Sequence, residues 1–113
     1  MSVKNIVKAQ PISTVNAANL LANAYLAMNA GFPDAIFMIR ILNASNTNVF
    51  VSYDAINDND FVPSGNGILE LNFQSNAQPN NFVTLLSKGT RVYLRATAGV
   101  GSIFLAAYYQ PQQ

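Results

Sequence analysis

The chain carries five carboxylates, Asp34, Asp54, Asp58, Asp60 and Glu70, and it has neither His nor Cys. Any acid, base or metal chemistry would have to be built from those five. Without His or Cys, a Ser–His–Asp or Cys–His nucleophile cannot be assembled. A structural zinc site has no ligands of its usual kind, and no disulfide or thiol chemistry exists, so the redox compartment cannot be read. A glycosidase needs two carboxylates facing each other across a bound sugar. Asp54, Asp58 and Asp60 share one stretch and could meet, but no aromatic-rich cleft is visible around them. Trp, the usual sugar-stacking residue, is absent. No Gly-rich loop precedes a helix in the phosphate-cradling pattern. The sequence therefore assigns no catalytic residue, no cofactor and no enzyme activity.

Calcium is the more reasonable chemistry for Asp54, Asn57, Asp58, Asn59 and Asp60, whose closely spaced carboxylate and amide oxygens are hard ligands. Yet counted from Asp54 or from Asp58, the Gly at the sixth position and the Glu at the twelfth that an EF-hand requires are both missing. Asp and Asn also hold turns through local hydrogen bonds, and that reading, a tight polar loop, outweighs the metal. No metal ligand is assigned.

The surface chemistry is unusual. Hydrophobic residues make up 50% of the 113 positions and charged residues only 10%, against about 25% charged in an ordinary soluble domain. Polarity comes instead from fifteen Asn and six Gln. Amides are hydrated but do not repel their neighbours, whereas charge keeps proteins apart. Such a surface suits a protein largely covered in an assembly. The six basic residues, Lys4, Lys8, Arg40, Lys88, Arg91 and Arg95, are scattered and the net charge is +1. Counterion-release binding needs clustered cations, so no nucleic-acid role is expected, and Lys88, Arg91 and Arg95 read as a solvated strand edge. The most apolar stretch, Ala17 to Ala30, is broken by Asn19, Asn23 and Asn29 and is too short to span a bilayer. Met1 leads into no signal-peptide run. Synthesis in a cytoplasm with no membrane anchor is expected.

The elements that would position these groups are strands. Residues 1–18 form an opening segment in which Val3 to Ala9 alternate before Pro11, either an extended arm lying on another surface or an edge strand of the domain's own sheet. Residues 19–113 are one domain. Residues 19–30 stay open: Leu21, Tyr25 and Met28 at i, i+4, i+7 with Asn19 as cap read as helix, while Leu20, Ala22, Ala24, Leu26 and Met28 share one face of a strand. Ile36–Leu42 is an apolar run of strand length, Asn43–Asn48 a polar turn and Val49–Tyr53 a return strand, which predicts a hairpin. After the loop Asp54–Gly67, Leu69, Leu71 and Phe73 point inward and Glu70 and Asn72 outward. Phe82–Leu86 follows the polar loop Ser75–Asn81. Arg91–Thr97, with Val92, Leu94 and Ala96 facing the core, and Ile103–Tyr109 form a second predicted hairpin across Ala98–Ser102. The pattern is all-β: an antiparallel β-sandwich or jelly-roll-like barrel with an extended N-terminal arm. Tyr53, Tyr93, Tyr108 and Tyr109 alternate with core positions or end strands. In the pair Tyr108–Tyr109 one ring must face away from the core, which suits a subunit contact.

Ile39–Asn43 with Val49–Asp54, then Asp58–Pro63, Leu86–Tyr93 and Ile103–Gln110, together resemble small virion proteins of tailed bacteriophages that decorate or cement the capsid. The resemblance covers residues 35–110. It implies a β-sandwich or jelly roll that oligomerises as a dimer or trimer where capsomers meet. Its partner would be the major capsid protein, residues 1–18 would be an arm, and residues 20–28 would tend towards strand. No catalytic residue is carried over.

The expectation is a non-enzymatic structural virion protein, made in the host bacterial cytoplasm, that binds and stabilises a capsid lattice through many weak contacts. The alternatives are a head–tail connector component, or a carbohydrate- or receptor-binding β-module on the virion surface whose working edge is the Asp54–Asp60 loop.

Overall fold

A computed structural model describes residues 8–72 and 88–109. Residues 1–7, Phe73, the expected loop Ser75–Asn81 and the expected strand Phe82–Leu86 lie outside the described residues.

The period-two alternation is realised as short strands: β1 (Lys8–Ala9), β2 (Ser13–Asn16), β3 (Leu26–Ala27), β4 (Met38–Ser45), β5 (Val49–Ser52), β6 (Asp60–Val62), β7 (Gly67–Asn72), β8 (Tyr93–Arg95) and β9 (Gly101–Tyr109). Among the described residues there is no α-helix, only a 3-10 turn at Ala17–Asn19. The first sheet runs β1/β2–β9–β4–β7 and the second β3–β8–β5–β6, and every pairing is antiparallel. The pairings nest: β2 with β9, β3 with β8, β4 with β7 and β5 with β6. That is one long antiparallel ribbon, its tip at residues 53–59, rolled so that successive arms fall in opposite sheets. β9–β4 and β8–β5 then zip the roll shut. The fold is an antiparallel sandwich with jelly-roll strand order.

Two expected hairpins do not form. β4 pairs with β7 and β9 while β5 pairs with β6 and β8, so residues 46–48 carry the chain from one sheet to the other as an arch. Residues 96–100 do the same between β8 and β9. The physical reason is that strand residues set which face is buried, not which neighbour supplies the hydrogen bonds. Both sheets need a covered face, and arches let Ile39 and Ile41 of the first sheet oppose Val49 and Val51 of the second, all fully buried. Among the described residues, β5 and β6 do form a hairpin, around the acidic loop.

β4 is also longer than its apolar run. Its inward alternation continues from Ile39 and Ile41 through Asn43 and Ser45, both buried. These polar residues are tolerated because each finds partners. Asn43 Nδ2 donates to the carbonyls of Thr47 (2.8 Å) and Val62 (3.0 Å), and its Oδ1 accepts from the Ser45 amide (3.1 Å) and hydroxyl. Asn46 Oδ1 accepts from Val100 N at 2.9 Å and Asn48 Oδ1 from Ser64 N at 2.9 Å. One end of the sandwich is thus stitched by three amides of the stretch expected to be a plain turn.

Residues 8–16, left open between arm and edge strand, lie along β9 as the edge of the domain's own sheet. Residues 19–30 are neither a long helix nor a long strand. Asn16, not Asn19, caps the 3-10 turn by accepting from Ala18 N at 2.9 Å, and Leu20 then turns extended and is buried. Only Leu26–Ala27 pair as strand, opposite Leu94 and Tyr93, with Met28 N continuing to Val92 O at 2.7 Å.

Val92, Leu94 and Ala96 are buried as expected, and Leu69 and Leu71 pack partly buried against the core. Ile39, Ile41, Ile103 and Leu105 of the first sheet meet Val49, Val51, Val62 and Leu94 of the second. Each such side chain contributes on the order of 2 kcal/mol through loss of contact with water.

Candidate functional site

The acidic loop is built from its own backbone outward. Asp54 Oδ1 accepts from Ile56 N (2.9 Å), Asn57 N (3.0 Å) and Ser52 Oγ (2.9 Å), while Ala55 takes a left-handed φ of 60° to close the turn. The Asn57 and Ile56 amides, with the Ser52 hydroxyl, hold its carboxyl down to about 2. Asn59 Oδ1 accepts from Tyr53 N at 2.8 Å. Asp60 accepts from the Tyr53 hydroxyl at 2.9 Å; burial, then that bond, push the Tyr53 phenol well above its ordinary range. Asp58 faces the other way and accepts from Tyr25 Oη (2.8 Å) and from Arg95 Nε (3.1 Å) and Nη2. The guanidinium, then the phenol, lower its pKa.

Asp54, Asp58 and Asp60 therefore serve three different partners, and no three acidic side chains among the described residues gather as a metal-holding group. The loop has the geometry of a tight polar turn. Asp34 lies elsewhere, accepting from Gln10 Nε2 at 3.2 Å, and Glu70 pairs with Arg40 at 3.4 Å on the outer face of the first sheet.

The structure gathers what sequence reasoning missed. Cross-strand pairing sets Phe61, Phe50 and Arg95 in one row across β6, β5 and β8, with Tyr25 next beyond Arg95. All point away from the core, since Val62, Val49, Val51 and Leu94 take the inward positions. The Phe50 and Phe61 ring centroids are 5.3 Å apart and tilted by 57°, a favourable aromatic pairing. The Arg95 guanidinium stacks 4.6 Å above the Phe50 ring while bonded to Asp58 and the Ala22 carbonyl. Arg95 is thus not the solvated edge cation expected; Lys88 and Arg91 are exposed. Two shallow depressions flank the Phe50–Phe61 ridge. One, of about 260 Å³, includes Thr47, Asn48, Arg95 and Thr97; the other, of about 410 Å³, includes Asp58, Asn59 and Asp60. Two aromatic rings do stand beside the acidic loop, as a ridge between shallow depressions. The usable signal was parity: Phe50 and Phe61 alternate with buried Val on the two strands that bracket the loop.

This arrangement can stack and hydrogen-bond.

The outer face of the first sheet differs in kind. Ile68, Leu42 and Phe104 form one cross-strand row, Glu70, Arg40 and Ala106 the next, and Met38 with Tyr108 a third. Ile68 is 61% exposed and the others are half-buried or exposed. The Tyr pair divides as expected: Tyr109 packs against the core and Tyr108 lies on the outer face.

The chain matches no family model, no curated protein sequence and no solved structure.

Proposed function

We propose that the protein is a non-enzymatic structural virion protein that packs, as an oligomer, onto a bacteriophage capsid lattice and stabilises it. The observation that carries the reading is the apolar outer face of the first sheet. An antiparallel sheet with one face in water ordinarily makes that face polar. Here Met38, Leu42, Ile68, Phe104, Ala106 and Tyr108 occupy its centre, with the polar Thr14, Asn16 and Ser102 along the β2 side, and Arg40 and Glu70 neutralise each other. Such a face is suited to being covered by another protein. The low charge of the whole chain suits a partner that covers much of the surface, and a capsid surface is the partner that the resemblance read in residues 35–110 implies. Each contact would be modest, and repetition over the lattice would supply the avidity.

Co-sedimentation of the purified protein with expanded capsids tests the reading, together with the heat stability of the decorated particles. Wild type is expected to co-sediment and to raise the disruption temperature. Ile68→Asp, at an exposed position, is expected to fold normally and to lose capsid binding at least tenfold. A protein that stays monomeric and never sediments with capsids overturns the proposal. A fixed low copy number in a closed ring, in place of hundreds of copies per particle, would favour a connector at the head–tail junction.

A further inference from the structure

The outer face of the second sheet sets aromatic rings between polar depressions, an arrangement that can hold a small ligand. We propose that the Phe50–Phe61 ridge binds a neutral saccharide, with a pyranose ring lying flat on Phe61 and its hydroxyls reaching the polar troughs on either side.

Four observations converge on that class of ligand. The first is the exposed ring itself: Phe61 is 47% exposed although it sits mid-strand, in the row Phe61–Phe50–Arg95. The axial C–H bonds of a pyranose form a flat, weakly positive surface that complements the negative face of an aromatic ring. The second is rigidity. Phe61 is backed by the Phe50 ring at 5.3 Å, and Phe50 is itself held by the Arg95 guanidinium at 4.6 Å, so the ring that meets the ligand is supported on one side before it arrives.

The third is unspent hydrogen-bonding capacity in the flanks. Asn59 uses Oδ1 on Tyr53 N, Asp60 uses Oδ2 on the Tyr53 hydroxyl and Asn48 uses Oδ1 on Ser64 N. Among the described residues, Asn59 Nδ2, Asp60 Oδ1 and Asn48 Nδ2 make no hydrogen bond. Two amide donors and a carboxylate acceptor around one ring are what a set of vicinal hydroxyls can satisfy. The fourth is electrostatic. Arg95 is matched by Asp58, which removes the free cation a phosphate, sulfate or uronate would seek. The depressions, about 260 and 410 Å³, are open and lie on both sides of the ridge, which fits a chain of sugars crossing the face better than one buried molecule.

The inference does not rest on the capsid reading, because it uses the opposite face. It is tested with the full chain, isotopically labelled, titrated by NMR with neutral hexasaccharides of the cello-, xylo-, manno- and chito- series and with a polyuronate as the anionic control. Saturable shifts confined to residues 47–50, 58–61 and 95–97 are expected for at least one neutral ligand, with the polyuronate weaker. Phe61→Ala is expected to weaken that binding at least tenfold. Phe61→Tyr is expected to retain it, and Phe61→Leu, which keeps apolar bulk and loses the aromatic face, is expected not to. Ile68→Asp is expected to bind sugar as wild type does, which separates this site from the capsid face. Absence of binding across the neutral series overturns the proposal, as does binding that survives both Phe61→Ala and Phe61→Leu. If the Phe61 variants lose capsid binding while no saccharide binds, the face is a protein-docking surface and the proposal is wrong.

Discussion

Asn43 Nδ2 donates to the Val62 carbonyl at 3.0 Å, a direct bond from a strand of one sheet to a strand of the other at the arch end of the sandwich. The same nitrogen holds Thr47 O at 2.8 Å, so one fully buried amide fixes both the arch after β4 and the spacing of the sheets. Replacing Asn43 with Leu takes the donor from the Val62 carbonyl and the acceptor from the Ser45 amide, both in buried bonds, while Thr47 O keeps Ser45 Oγ at 3.2 Å. Removing one partner of a buried hydrogen bond costs about 1–3 kcal/mol for each group left behind. Asn43→Leu is expected to lower stability by about 3 kcal/mol in urea unfolding.

Asn43→Asp gives a sharper test. At neutral pH it sets a buried carboxylate against two carbonyls, and burial raises the pKa of such an acid above its unfolded value. The penalty is largest above that raised pKa and shrinks as the pH falls and the acid gains a proton to donate. The variant's midpoint is therefore expected to approach that of wild type on acidification from pH 7 to 5. A constant gap over that range would contradict the role given to the Nδ2 donor.

Gly101 opens β9 with φ +112°, and a Cβ there would meet Ala44 O at 2.5 Å and Ser45 Cα at 2.7 Å. Gly65 has φ +75° with open space around it. Gly65→Ala bears only the left-handed backbone penalty, about 1–2 kcal/mol. Gly101→Ala must in addition push the β4 backbone away, so its loss is expected to exceed that of Gly65→Ala by at least ~1 kcal/mol. Chemical denaturation of the two variants side by side checks the order.

Arg95 ties Asp58, the Ala22 carbonyl and the Phe50 ring together. Its side chain is 27% exposed and that of Asp58 33%, so solvent screens the pair and a double-mutant cycle is expected to give a small favourable coupling. Arg95→Lys is expected to recover less than half of it, since an ammonium cannot both fork onto a carboxylate and stack on a ring. Full rescue by Lys would show that charge alone matters here.

The acidic loop is expected to loosen in acid. The carboxyl of Asp54 is lowered from 3.8 to about 2 in the fold, and that of Asp58 is also lowered. A carboxyl with a depressed native pKa contributes stability that is complete above its unfolded value and is lost as the pH falls through the native one. Amide exchange at Ile56 and Asn57, whose N–H groups Asp54 accepts, is expected to lose protection between about pH 4 and pH 2 in wild type. In Asp54→Asn that pH dependence should disappear. Protection that persists to pH 2 in wild type would show that the carboxylate does not hold the turn.

From the sequence alone come the class of the fold and the inward residues of the strands that alternate cleanly. Period-two alternation marks Leu69, Leu71, Val92, Leu94 and Ala96 as inward, whereas Ile36–Leu42 and Ile103–Tyr109 are apolar at both parities, and the fold chose Ile39, Ile41, Ile103 and Leu105. The sequence also placed the polar segments and the acidic loop. Tertiary structure decided the partners. A run of small amides between two apolar strands is compatible with a hairpin or an arch, and the choice was made by the need to cover two sheets at once. The ribbon rolled, β4 reached past its apolar run to bury Asn43, and residues expected to sit idle in a turn became the stitches of the sandwich. Parity marks Phe50 and Phe61 as outward, but their row with Arg95 exists only because β5 pairs with β6 and β8, and lateral hydrogen bonding leaves no periodic trace in the chain.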